Sequence, residues 1–210
     1  ISHIIYLMFQ YWSVKLVLII SVIFVLQNIF PTITDSFSLI SSRALGEPWM
    51  FLTAIFLHAD IMHLLYNMFA LALFGAILEK IVGGKRFLAI FFISGIVASA
   101  AAFFFYPASL GASGAIFGIL GALAVLQPRM TIWLYVPMPM FVAIFVWAAI
   151  DLTGFFYPSG IANAAHLAGL GAGLIFGFAL RKKFAEHAAK RKQYEIGSEE
   201  FRRWEDGWVK

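Results

Sequence analysis

The sequence predicts an all-α polytopic membrane protein, a bundle of six transmembrane helices. Three observations predict it. The 210 residues are 62% hydrophobic and only 12% charged, where a soluble domain carries about 25% charged residues. Mean hydropathy is +0.88. The apolar residues come in runs of about 15–20, the length of helical spans, and not in the alternating stretches of about ten that make barrel strands. The net charge of +4 gathers in loops and in the C-terminal tail. In a membrane protein such charge speaks to orientation, so no nucleic-acid partner is expected. Cysteine is absent, which excludes thiol catalysis and leaves the redox compartment unread.

Three sections are expected: an interfacial segment over 1–13, the six-helix membrane domain over 14–180, and a charged cytoplasmic tail over 181–210. Tyr6, Tyr11 and Trp12 suit headgroup level. The first span is expected over 14–30, stopped by Pro31. It is too long for a signal-peptide core and lacks a small-residue cleavage site. The loop over 32–48 is too long for a simple connector, and Trp49 with its apolar neighbours suggests contact with the interface. The second span is expected over 61–81, followed by the turn Gly83-Gly84-Lys85-Arg86, and the third over 87–106, ended by Pro107. A fourth runs only over 113–127, where Pro128 stops it. At 1.5 Å per residue it is roughly 22 Å long against a hydrocarbon core of about 30 Å, so one end must lie below the membrane surface. A fifth span is expected over 139–152, a Gly/Pro/aromatic loop over 153–160, and a sixth span over 161–180. In the tail, Phe201, Trp204 and Trp208 share helical spacing, which fits an amphipathic surface helix as well as it fits a disordered tail.

Six spans make the charges self-consistent. Lys15, the group Lys80/Lys85/Arg86, Arg129 and the Arg181 tail fall on one side, with Arg43 the lone exception. The positive-inside rule then puts both termini in the cytoplasm of a multi-pass cell-membrane protein. His63 and Ser113 each begin a helix at the outer side. His166 is the sixth residue of a helix entering from that side, roughly 8 Å down. Three polar clusters converge on one depth.

These clusters carry the candidate chemistry. Ser113 stands in Gly111-Ala112-Ser113-Gly114 at a turn-to-helix junction. Small neighbours let a substrate backbone approach, and the helix N-terminus offers free N–H groups to a developing oxyanion. The plain alternative is a tight helix-packing spot. His166 is an ionisable residue inside a span, a functional candidate by default. Gly169 and Gly173 share its helix face, and Gly114, Gly118 and Gly121 form a comparable stripe on the fourth helix. If the stripes pack together, Ser113 and His166 come within hydrogen-bond reach. His63 and Asn67, at i and i+4, share a face and can both donate to an oxyanion with the Ser113 N–H. The alternative for that pair is a polar patch joining helices. His58, five residues from His63, is off that face and reads as structural, holding the loop by hydrogen bonds. No His-Glu-x-x-His pattern is present, so neither a metal nor another cofactor is expected. A transporter would use intramembrane His and Asn as relays, yet no pair of spans is interrupted in corresponding positions. No acid lies within a turn of His166, and Asp151 falls near the end of another helix. The simplest chemistry is therefore a Ser–His dyad.

The chain resembles the rhomboid intramembrane serine proteases, from the loop before His58 to Gly177. Gly111-Ala112-Ser113-Gly114 resembles the family's G-x-S-G and Ala165-His166 with Gly169 and Gly173 its A-H-x-x-G-x-x-x-G. His63 to Asn67 resembles its H-x-x-x-N. The resemblance implies Ser113 as nucleophile, His166 as general base, and His63 with Asn67 in the oxyanion hole. It also implies a structural His58 and an acid, Glu79, at the cytoplasmic end of the second span. Partners implied are transmembrane protein substrates in the lipid bilayer, cut at small residues beside helix breakers. Two departures stand out: Trp49-Met50 where many relatives carry Trp-Arg, and Phe117 where many bacterial relatives carry Tyr. Phe117 keeps the stack on the catalytic His and loses the hydroxyl. Relatives lacking the Ser or the His act as binding proteins, which makes a non-catalytic binding module the alternative; both residues are present here.

Overall fold

A computed structural model describes residues 10–133, 136–157, 160–182, 184 and 199. Six apolar helices organise them: α1 (Trp12–Ile29), α2 (Ile61–Val82), α3 (Gly84–Phe105), α4 (Ser113–Leu126), α5 (Met140–Phe156) and α6 (Asn163–Lys182). Among the described residues, α1, α2, α3 and α6 are long and apolar enough to cross a membrane. The other two are apolar but shorter, with 14 residues in α4 and 17 in α5.

Helix α1 starts at Trp12, two residues before the expected span, so Trp12 and Ser13 form its first turn. The cause is Glu79 of α2. Its buried carboxylate accepts the backbone N–H groups of Trp12 and Ser13, each at 2.9 Å. A carboxylate set across the free amides of a helix start satisfies orphan donors and complements the dipole. Helix α2 is capped by Asp60, which accepts the His63 N–H at 2.8 Å, and it widens into a π turn over Leu71–Gly75 before ending at Gly83. The φ of +83° at Gly83 turns the chain into α3.

The long loop is built, not slack. It holds a short helix, Thr32–Phe37, a strand β1 (Leu39–Ile40), and a further turn of helix, Met50–Thr53, continued as 3-10 helix over Ala54–Phe56. Strand β1 pairs antiparallel with β2 (Ala108–Ser109), Leu39 opposite Ser109. Met50 is fully buried in a small cluster with Leu39, Ala44 and Ala54, while Trp49 is exposed and donates its indole N–H to the Ser36 carbonyl at 3.3 Å. Apolar packing by Met50 thus anchors this segment. A second antiparallel pair, β3 (Thr131–Trp133) with β4 (Pro137–Pro139), lies between α4 and α5.

Helix α4 is the axis of the bundle. Gly114, Ala115, Ile116 and the whole run from Gly118 to Ala124 are buried. A helix apolar on every face suits such a position. Helices α3 and α6 lie against it at backbone distance. Gly118 faces Ser94, and a Cβ on Gly169 or Gly173 would collide with the carbonyl oxygen of Gly114 or Gly118. The two glycine stripes meet, and small residues are what let the backbones touch.

Residues 153–156 are helical, where the sequence suggested loop. The Thr153 hydroxyl donates to the Ala149 carbonyl at 2.8 Å, and Gly154 fits against the Asn163 side chain, which a Cβ would approach to 2.7 Å. Packing of α5 on α6 overrides the turn-forming character of these residues. The stretch around Tyr6 and the tail positions Phe201, Trp204 and Trp208 lie outside the described residues.

Candidate active site

Helix α4 opens at Ser113, just after a glycine with φ of +127°. Gly111 is required twice over. Its backbone lies where L side chains are strained, and a Cβ would sit 2.8 Å from Cε1 and 2.9 Å from Nε2 of His63. Its N–H donates to the Ala54 carbonyl at 2.9 Å, tying the turn to the loop. His63 Nε2 is thereby pressed against the turn that presents Ser113.

The Ser113 Oγ lies 2.8 Å from His166 Nε2. The glycine contacts between α4 and α6 bring these two side chains together. The Phe117 ring, one turn below Ser113, stacks on the imidazole at 4.4 Å between centroids and 11° between planes. On the other edge of the imidazole, Nδ1 lies 3.0 Å from Asp151 Oδ1. The expectation that no acid stands beside His166 is corrected here. Asp151 is five residues inside α5, because that helix runs on to Phe156, and the last turns of α5 pack beside the first turns of α6. Sequence separation hid the contact: it depends on which helices are neighbours. The signal available was a single charged residue in an otherwise apolar helix.

His63 and Asn67 face the same cavity. The Ala59 N–H approaches His63 Nδ1 at a long 3.5 Å. Asn67 is buried and spends one amide hydrogen on the His63 carbonyl at 2.8 Å, keeping the other. At His58 the backbone, and not the ring, makes the hydrogen bonds that hold the loop. Its ring, 2% exposed, makes no hydrogen bond among the described residues and stands edge-on to the His63 ring at 4.9 Å. What ties residue 58 down is its backbone, whose N–H donates to Gln27 Oε1 at 3.1 Å and whose carbonyl accepts from Gln27 Nε2 at 3.3 Å. Burial, and secondarily the neighbouring His63, push the His58 imidazole down to about 4, so it is neutral at ordinary pH.

Ser113, His166, His63 and Asn67 line one cavity of about 970 Å³. Phe155 also lines it and packs edge-on against Phe105 at 5.2 Å, whereas Phe156 is exposed and points elsewhere. Among the described residues no group of three or more His, Asp and Glu side chains is arranged to hold a metal ion.

Comparison with known proteins meets this geometry from another direction. The profile of the Rhomboid domain matches residues 45–183, well over half of the chain. Rhomboid protease GluP of Bacillus subtilis is 42% identical over 146 residues, covering 65% of this chain and 27% of that protein. Rhomboid protein 1, mitochondrial, of Saccharomyces cerevisiae is 33% identical, covering 66% of this chain and 43% of that protein. Rhomboid protease GlpG of Haemophilus influenzae is 27% identical, covering 63% of this chain and 70% of that protein. The matched region thus spans less than half the length of the first two relatives. Ser113 and the histidine that faces it both lie inside the stretch that the domain profile covers, and the chain belongs to the rhomboid family.

Proposed function

We propose that this chain is an intramembrane serine protease that cleaves single-span membrane proteins near the outer face of the bilayer. The observation that carries the reading is the 2.8 Å contact between Ser113 Oγ and His166 Nε2 on the wall of a cavity of about 970 Å³. Neutral His166 takes the Ser113 proton as Oγ attacks the substrate carbonyl. The Ser113 N–H, His63 and Asn67 hold the resulting oxyanion, one such donor typically contributing about 3 kcal/mol to lowering the barrier. The protonated imidazole returns its proton to the leaving amine, and water then releases the acyl-enzyme.

Six spans with both termini cytoplasmic suit this reading, because they put the start of the short α4 below the outer surface, where water meets an unwound substrate. The first turn of α6 then holds His166 at the same depth. Phe155, at the cavity wall near the end of α5, fits a movable cover over the site. Substrates are helices that unwind locally, since a protease needs an extended backbone. A serine-directed fluorophosphonate tests the proposal. Labelling of the intact protein, lost in Ser113→Ala and His166→Ala together with cleavage of reporter membrane substrates, is the expected result. Folded protein that neither labels nor cleaves would instead mark a binding module.

A further inference from the structure

We propose that Asp151 is a positioning residue for His166, so that the reactive pair works as a three-member relay. The proposal rests on the Ser113–His166 reading above. Stacking on Phe117 fixes the plane of the imidazole but does little to choose its orientation. A ring turned over by 180° about Cβ–Cγ stacks nearly as well, yet it presents carbon where Ser113 needs nitrogen. Stacking is equally indifferent to which nitrogen carries the proton. Asp151 Oδ1, 3.0 Å from Nδ1, resolves both. An ionised carboxylate only accepts, so Nδ1 must be the N–H and Nε2 must present its lone pair to the Ser113 hydroxyl. When the imidazole takes the Ser113 proton, the same carboxylate faces the new positive charge across 3.0 Å.

The placement of Asp151 has the marks of function over stability. It is the only charged residue in α5 (Met140–Phe156) and is 5% exposed. Its Oδ2 is buried without a hydrogen bond among the described residues. A half-satisfied carboxylate in an apolar bundle destabilises the fold unless something compensates, and polar groups at such depth mark working sites. If it served only to tie α5 to α6, an amide would do the same, because asparagine keeps one acceptor oxygen.

That difference supplies the test. Cleavage of a reporter membrane substrate is followed for the intact protein and for Asp151→Asn, Asp151→Glu and Asp151→Leu, with thermal unfolding recorded for each. Asp151→Asn is expected to lower kcat by up to about 10⁴-fold, the loss that removing a tautomer-holding acid produces, with KM within about threefold and an unchanged unfolding temperature. Asp151→Glu is expected to recover at least tenfold over Asp151→Asn. A folded Asp151→Asn protein within threefold of the parent kcat overturns the proposal. A second measurement does not depend on activity or on the variants folding. Nitrogen NMR of histidine-labelled parent protein should show His166 protonated at Nδ1 and bare at Nε2; the reverse tautomer overturns the proposal. Should the parent protein itself fail to cleave or label, the protease reading falls, while the tautomer still decides the role of Asp151.

Discussion

The ring of Phe117 lies flat on the imidazole of His166, 4.4 Å between centroids and 11° from parallel. The contact holds the plane of the imidazole while leaving both of its nitrogens to polar partners. A stacked aromatic pair contributes roughly 0.5–1.5 kcal/mol beyond its buried area, and 1.36 kcal/mol is tenfold in rate. Phe117→Ala should therefore cut the rate of substrate cleavage by roughly two- to tenfold. Phe117→Tyr, which keeps the stack, should stay within about threefold. Steady-state cleavage of a reporter membrane substrate checks both.

The glycines of α6 differ sharply in what surrounds them. A Cβ at Gly173 would strike the Gly118 carbonyl, whereas one at Gly171 meets nothing within 4 Å. Gly173→Ala should destabilise the protein by about 1–3 kcal/mol, the usual result of forcing volume into a packed contact. It should also weaken fluorophosphonate labelling, because α6 carries His166 away from Ser113 as it moves off α4. Gly171→Ala should change neither. Thermal unfolding in detergent and labelling rates on the same samples decide the matter.

Glu79 sits at the start of α1, away from the Ser113–His166 contact. Glu79→Ala leaves the amides of Trp12 and Ser13 without their buried acceptor, at a cost of about 1–3 kcal/mol. The expected signature is a lower unfolding temperature with unchanged labelling rate per folded molecule. A selective loss of labelling at full stability would assign Glu79 another role.

His58 sets a pH dependence of stability. Its imidazole is pushed from 6.5 down to about 4, chiefly by burial. Well above pH 6.5 neither folded nor unfolded protein is protonated there, and the contribution is complete. As pH falls from 6.5 towards 4 the unfolded state takes up the proton first, so stability is lost across that window. At pH 5 the loss is on the order of 1–2 kcal/mol. His58→Gln should flatten the acid side of a plot of unfolding temperature against pH. An unchanged slope in the variant would rule out His58 as its source.

The serine and histidine that the structure brings together were readable as candidates because each announces itself locally: Ser113 by flanking glycines before a helix, His166 by being ionisable inside an apolar run. The α4 and α6 glycine stripes were readable through their spacing, and the structure shows them in contact. Asp151 was not readable as a partner, because nothing within a turn of it or of His166 states which helices are neighbours. The cap that Glu79 places on α1 was hidden for the same reason, being a bond between residues 67 apart. The helical state of residues 153–156 was hidden because Thr153 and Gly154 carry turn-forming character that only the fit against Asn163 overrides.

Sequence by itself determined that this is a membrane protein built of apolar helices, with a candidate serine at the start of one helix and a candidate histidine inside another. Hydropathy and local backbone rules act over a few residues, and those few residues are enough to state them. Tertiary structure alone decided which side chains meet. A carboxylate from α5 came to lie on an imidazole from α6, and a carboxylate from α2 on the amides of α1. Such meetings follow from which helices lie side by side and at what depth, a property of the packed bundle and of no single segment.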